Sequence, residues 1–346
     1  MNRDALYFDG ENGVEVRSEA MIEPKHGEVL VRSIISAISA GTEMLLYCGR
    51  FPSDLELDVS IGALQGQVHY PTKYGYASVG EVINVGDEAG RALEGRLVFV
   101  FQPHQSHSVI PVEDLIPVPE GIRPEDAAFL ASLETGLSLL MDGRPLIGER
   151  VAVIGQGVIG LITTGLLSML PLSKLVTVEN LEMRKELSLA MGSQACFSSS
   201  AAIDGILSDP DMAEGADLAY EVSGNPDALG MALGVTGFDG RIVIGSWYGN
   251  KEVHLSLGTR FHRNRNTIIS SQVSRLDPSL TGRWAKGRRL DLAWALMPRL
   301  RPSRLVTHRV PFENAAMAYR MLEEDPGQTC QVLLTYPGGV RCTRSP

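Results

Sequence analysis

Six residues near the middle of the chain, Gly155-Gln156-Gly157-Val158-Ile159-Gly160, carry the spacing of a dinucleotide-phosphate turn. They follow the apolar run Val151–Ile154 and lead into a helix-patterned segment, Gly160–Leu170, the setting that gives GxGxxG its meaning. Gly155 permits the tight turn, Gly157 lets the backbone approach a pyrophosphate, and Gly160 lets helix and strand pack closely. The N–H groups at Val158 and Ile159 open that helix and supply partial positive charge to phosphates. Glu179 stands 19 residues after Gly160, directly behind Leu175-Val176-Thr177-Val178. A carboxylate there accepts hydrogen bonds from both adenosine ribose hydroxyls and repels a 2′-phosphate, so NAD(H) is favoured over NADP(H). Arg184 weakens that preference if it swings toward the ribose.

Other reactive side chains give thinner patterns. His104 and His107 flank Gln105-Ser106 with no third ligand near, so they read as loop residues; His104, after Phe101-Gln102-Pro103, is also a candidate substrate contact. Cys48, Cys196, Cys330 and Cys342 form no CxxC pair, and the opening Met-Asn-Arg-Asp-Ala-Leu-Tyr-Phe-Asp has no apolar core of a leader. A reduced, cytoplasmic setting is expected. Residues 260–304 hold eleven Arg and Lys against two acids. Arg263, Arg265, Arg283, Arg288 and Arg289 there suit either a carboxylate or phosphate on a substrate, or a solvated helix and subunit contact.

The elements that must position these residues fall into two textures. The first 120 residues are β-rich, with runs at Glu28–Ile34, Ser78–Ile83 and Arg96–Val100, and a turn around Thr42–Tyr47. From Pro124 onward strands and helices alternate. Strands are expected at Val151–Ile154, Lys174–Val178, Asp217–Val222, Arg241–Gly245 and Thr267–Ser270. Helices are expected at Gly160–Leu170, Leu181–Met191, Asn225–Leu233 and Trp284–Leu300. That alternation implies βαβ units and a doubly wound parallel sheet. A last strand, Gln331–Tyr336, precedes a frayed tail carrying Gly338, Gly339 and Pro346.

At 346 residues the chain has room for about two domains. Its 44% hydrophobic content excludes disorder, and its net charge of −10 argues against nucleic acid as a partner. Val151–Ser173 is 23 residues without a charge, long enough to imitate a membrane span. Its glycines, Pro171, Thr163 and Thr164 make a soluble glycine-loop helix the better reading, and no membrane partner is expected.

With these surroundings the chain resembles the medium-chain dehydrogenase/reductase superfamily almost end to end. Glu28-Val29-Leu30-Val31 and Ser39-Ala40-Gly41-Thr42-Glu43 look like that family's first catalytic-domain segment. Lys73–Val82 occupies its Gly-His-Glu segment, and Glu134-Thr135-Gly136 looks like the Thr-Gly before the cofactor domain. Gly215-Ala216-Asp217, Ser223-Gly224-Asn225-Pro226, Gly240–Val243 and Val310-Pro311-Phe312 continue the likeness. The resemblance implies an α/β fold: a GroES-like β domain (1–122 and 275–346) and a Rossmann NAD-binding domain (123–274), with nicotinamide and substrate in the cleft between them. It places Thr135, Ser223, Gly245, Ser246 and Ser271 near the nicotinamide, and Trp247 and Tyr248 at the cleft or a dimer contact. It implies a homodimer through the sheet edge at Arg241–Ser271.

Departures from the family concern zinc. Where zinc-dependent members hold a Cys, a His and a third ligand, this chain has Ala40, Tyr76 and Ala131–Ser132, with Ala77 beside Tyr76. The four-cysteine structural lobe is also missing, so no zinc and no other metal is expected. Among zinc-free branches, Ser39–Glu43 and Gly75–Gly80 look similar to the clade of bacteriochlorophyllide a dehydrogenase. Without a metal, hydride transfer from a carbinol still requires the hydroxyl proton to leave, so a protein group must handle it. Thr42 matches the family's relay hydroxyl. Tyr76 is a candidate acid/base if its pKa is lowered or water links it onward, or else an aromatic filling space; Glu43 and Glu134 are candidates to orient the relay or to serve as structural carboxylates.

These readings lead to a zinc-independent NAD(H) oxidoreductase interconverting a secondary alcohol, of cyclic or polyol type, neutral or anionic, with its ketone. An enone or quinone reductase shares the fold, with Glu179 against it because that branch usually uses NADPH. A non-catalytic dinucleotide-binding module is the third reading.

Overall fold

The apolar run before the glycines forms the middle of a six-stranded parallel sheet. In chain order its strands are β1 (Arg150–Ile154), β2 (Lys174–Val178), β3 (Ala195–Phe197), β4 (Ala216–Glu221), β5 (Thr236–Ile244) and β6 (Thr267–Ser270). Their spatial order is β3-β2-β1-β4-β5-β6, all parallel, with Val151 paired to Leu175 on one side and Leu218 on the other. Order therefore reverses between β1 and β4, the place where such sheets bind ligands beyond their carboxyl ends. The computed structural model describes residues 2–338. Gly339, Cys342 and Pro346 lie outside the described residues.

β1 and β2 are buried from their second residue on, which is why they read as unbroken apolar runs rather than alternating ones. The helix Val158–Leu167 that follows the glycines is buried from Gly160 to Leu167. That explains the uncharged stretch, which packs in a protein core; among the described residues no helix is long and apolar enough to cross a membrane. Gly192, at φ +106°, ends the helix Glu182–Ala190 a residue after its C-cap Met191.

The chain separates into two units: Met1–Ala131 with Arg301–Pro346, and Ser132–Leu300. The sequence boundaries at 122/123 and 274/275 differ from this. Residues 275–300, expected with the β domain, belong to the Rossmann-like unit, because the helix Lys286–Leu300 buries Arg289 there against Glu134 and Ser138.

The other unit is antiparallel for the most part. A hairpin, Asn2–Phe8 with Val14–Ala20, joins Thr72–Lys73 in a three-stranded sheet. The second sheet runs in the order Val306–Pro311, Gln331–Thr335, Glu28–Ala37, Ser78–Val85, Leu97–Val100, Ile116–Pro117, and His107–Pro111 also pairs with Glu28–Ala37. Glu28–Ala37 is its center, buried at eight of ten positions. Leaving that strand, the chain enters a two-turn helix, Ala40–Tyr47, where the sequence had suggested only a turn from Thr42. The helix Ala315–Glu324 seals this core with Ala315, Ala318 and Tyr319.

Candidate active site

In the Rossmann-like unit the three glycines have three different physical reasons. Gly155 sits at φ +95°, and a Cβ on it would lie 2.5 Å from the Cα of Ser223. A Cβ on Gly160 would run into the carbonyl oxygen of Gly155. Around Gly157 nothing lies within 4 Å of the Cβ position, so no protein contact demands a glycine there. Gly157 is the N-cap of Val158–Leu167, with no side-chain cap, and Gly157, Val158 and Ile159 are the partly exposed part of this turn. An open backbone at an uncapped helix start fits a phosphate group.

Glu179 stands at the end of β2 as expected, and its carboxylate is already engaged. Oε2 accepts the N–H of Gln156 at 3.0 Å, and Oε1 accepts those of Asn180 at 2.7 Å and Leu181 at 3.1 Å. The acid thus ties the glycine turn to the next loop while keeping acceptor capacity for a further donor. Arg184 is partly buried, on the first turns of the helix Glu182–Ala190.

Ser223, Gly245, Ser246 and Ser271 follow the ends of β4, β5 and β6, and the structure joins several of them through a residue the sequence reading passed over. Glu221, fully buried, accepts Ser223 N–H at 2.8 Å and Ser223 Oγ–H at 2.5 Å on one oxygen, and the Tyr248 hydroxyl on the other. Its backbone carbonyl accepts Gly245 N–H at 2.9 Å. Ser246 Oγ accepts Gly224 N–H, and Ser271 Oγ donates to Asp142 at 2.6 Å. An acid inside the apolar strand Asp217–Val222 was a readable signal that a polar site lies there. Burial and the bond to Glu221 raise the Tyr248 phenol well above its ordinary range, and Trp247 beside it is exposed.

Glu134 goes elsewhere than a relay. It is 3% exposed, and Arg289, equally buried, donates Nη2 to it at 2.6 Å. Arg289 also donates to Ser138 Oγ and the carbonyl of Val273. Glu134, expected as a catalytic carboxylate, is therefore a structural ion-pair partner; Thr135, next to it, is partly buried on the same helix, Leu130–Gly143. The arginines of residues 260–304 are not one anion site: Arg289 is committed inside, Arg288 lies over the Trp284 ring and Arg265 faces Asp239 at 3.6 Å. Arg263 is exposed.

The β-rich unit gathers Thr42, Tyr76, Glu43 and His104. The Tyr76 hydroxyl donates to Ser39 Oγ. Burial, foremost, raises the Tyr76 pKa; the Ser39 and Thr42 hydroxyls oppose this, and Glu43 and Asp58 add to it. The lowered pKa that a base would need is thus not what its surroundings supply, and Tyr76 is kept as a proton-bearing phenol. Glu43, a candidate to orient the relay, and His104, a candidate substrate contact, are both 0% exposed and bonded to each other, His104 Nε2 to Glu43 Oε2 at 3.0 Å. Burial places them behind the hydroxyls.

No family model matches the chain. It is 22% identical to the uncharacterised zinc-type alcohol dehydrogenase-like protein YphC of Escherichia coli K12, over 96% of this chain and 98% of that one. D-guloside 3-dehydrogenase of the same organism is 24% identical over 82% of this chain and 81% of its own. An alcohol dehydrogenase of Escherichia coli CFT073, solved with NADH, superposes with a TM-score of 0.76 at 18% identity, covering 96% of this chain and 99% of that one. By sequence and fold the chain is alcohol dehydrogenase-like. Its parallel sheet and its antiparallel sheet match the two parts of the medium-chain dehydrogenase/reductase architecture.

Against a zinc-type name, the donor set is the test. Ala40 opens its helix with a methyl group, Ala131 offers another, and Tyr76 spends its hydroxyl on Ser39. Those three positions do not make a tetrahedral zinc site. Among the described residues no group of three His, Cys, Asp or Glu could hold a metal ion.

Proposed function

We propose that the protein is a zinc-independent, NAD(H)-dependent oxidoreductase that interconverts a secondary alcohol, of a cyclic or polyol kind, with its ketone. The open approach at Gly157, on an uncapped helix start beside the reversal of strand order, carries this reading. Glu179 at the end of β2 supports NAD(H) over NADP(H), and the neighbouring fold solved with NADH agrees with a nicotinamide cofactor. The likeness to D-guloside 3-dehydrogenase supports a hydroxyl-bearing substrate.

Bound nicotinamide supplies the hydride acceptor or donor. Val158 and Ile159 N–H groups bind phosphate oxygens, and Glu179 receives ribose hydroxyls. At the reacting oxygen, Tyr76 and Thr42 do what a metal does in zinc enzymes: the Tyr76 O–H, turned from Ser39 to the bound substrate, and the Thr42 hydroxyl hold the oxygen by hydrogen bonds and pass its proton. With its pKa raised, Tyr76 meets the substrate oxygen as a protonated phenol, a hydrogen-bond donor to the carbonyl of the ketone and to the alkoxide it becomes. Ala40, Tyr76 and Ala131 at the zinc-ligand positions support a zinc-free branch similar to that of bacteriochlorophyllide a dehydrogenase. A second copy of the chain and a small-molecule substrate are its partners in this reading, in the cytoplasm.

Titration of the protein as purified with NADH and NADPH, followed by nicotinamide fluorescence with elemental analysis of the same sample, tests the reading. Preference for NADH without zinc is the expected result. Preference for NADPH turns the assignment toward an enone reductase, and stoichiometric zinc overturns the metal-free site.

A further inference from the structure

Behind Tyr76 lies a chain of polar side chains that no step above uses. Ser36, Glu43, His104 and Tyr319 are each 0% exposed, and Tyr336 is 6% exposed. Three donors converge on Glu43: Ser39 N–H on Oε1 at 2.7 Å, and His104 Nε2 at 3.0 Å and Tyr319 O–H at 2.5 Å on Oε2. A carboxylate only accepts, so His104 carries its proton on Nε2. Its Nδ1 faces Ser36 Oγ at 2.7 Å, and Ser36 Oγ faces the Tyr336 hydroxyl at 2.9 Å. The whole network is satisfied, the condition under which buried polar groups rigidify a site.

This network grips Tyr76 from two sides. On one side Glu43 holds the backbone N–H of Ser39, whose hydroxyl receives the Tyr76 proton. On the other, the His104 ring lies against Gly75: a Cβ on Gly75, at φ +118°, would sit 2.7 Å from the ring. The His104 backbone also bonds the Tyr74 carbonyl, two residues from Tyr76. Resting on the function proposed above, we propose that His104 and Glu43 are positioning residues for the Tyr76–Ser39–Thr42 hydroxyls, a hydrogen-bonded clamp doing the work that coordination geometry does around a metal. Neither touches substrate. Their task is orientation, and misplacement of a reacting group by about 1 Å costs on the order of 100-fold in rate.

The test labels the protein with 3-fluorotyrosine and assigns the Tyr76 fluorine resonance by its loss in Tyr76→Phe. His104→Asn and Glu43→Gln are expected to shift or broaden that resonance, because one amide oxygen cannot serve three donors. Ser36→Ala, which removes only the Nδ1 partner, is expected to move it less and guards against failure of the harsher variants to fold. Asp211→Asn, exposed in the Rossmann-like unit and paired with Lys174, should leave it in place. With the alcohol that wild type turns over, kcat should fall at least about tenfold in His104→Asn and Glu43→Gln while the KM for NAD stays within about twofold. An unmoved Tyr76 resonance in both variants overturns the clamp, as does equal loss of kcat and NADH binding. Wild-type protein that binds no NADH or oxidises no alcohol sinks the proposed function instead, and the fluorine resonance still judges the clamp.

Discussion

Arg289 Nη2 lies 2.6 Å from Glu134 Oε1, with both side chains almost wholly out of water. Two charges brought that far inside are held by their mutual attraction and by Ser138 and the Val273 carbonyl. Removing one leaves the other buried and unpaired. Arg289→Met should therefore destabilise the protein by about 3–5 kcal/mol, read from urea unfolding. Glu134→Gln should lower the Tm as well. If Glu134 were instead a catalytic carboxylate, Glu134→Gln would abolish turnover with Tm unchanged.

The glycine turn separates folding from binding within six residues. Gly157 has φ −69° and open space at its Cβ position, so Gly157→Ala costs the fold little. A methyl there stands where the phosphate must come. Gly157→Ala should weaken NADH binding about tenfold or more in a fluorescence titration, with Tm within about a degree of wild type. Gly155→Ala and Gly160→Ala should both lose stability first, because Ser223 and the Gly155 carbonyl occupy the space. Equal Tm losses in all three would mean that Gly157 is glycine for a folding reason.

Much of the Rossmann-like unit was legible because buried parallel strands announce themselves. β2 and β6 fall on the residues expected from their β-branched runs, Lys174–Val178 and Thr267–Ser270. The helix Leu130–Gly143 was not anticipated, since Thr135, Gly136 and Ser138 dilute its pattern. Gly136 is there for packing: a Cβ on it would lie 2.9 Å from Ile162. In the candidate site, local spacing picked out the glycine turn, whose residues are neighbours in sequence. Glu43 and His104 were each singled out, yet the bond between them spans 61 positions and joins the helix Ala40–Tyr47, which follows the strand Glu28–Ala37, to a separate loop. Glu134 misled because a carboxylate next to Thr135-Gly136 says nothing about an arginine 155 residues on.

Glu179 has a double duty that one substitution exposes. Glu179→Ala deprives three backbone N–H groups of their acceptor, so stability should drop by about 1–3 kcal/mol in urea unfolding. In the proposed function it also removes the charge set against a 2′-phosphate. The ratio of NADPH to NADH dissociation constants should fall toward unity in the titration. A ratio unchanged from wild type would remove the carboxylate as the source of cofactor preference.

Tyr76 makes the sharpest claim about pH. Burial raises its pKa above the ordinary 10, so the phenol keeps its proton throughout the range below that value and loses it only at higher pH. Ketone reduction should therefore show no loss attributable to Tyr76 between about pH 7 and 10, with any fall from this group lying on the alkaline side. Tyr76→Phe should lower kcat at least about tenfold, since general acid catalysis typically contributes 10²–10⁴. The variant should still bind NADH, because the glycine turn and Glu179 are untouched. If Tyr76→Phe leaves kcat intact while Thr42→Val abolishes it, the proton passes through Thr42 and Tyr76 is the aromatic that fills the space beside Ser39. If the wild-type profile instead drops near pH 8 and that limb disappears in Tyr76→Phe, the phenol titrates in the working range and acts as a base toward the alcohol.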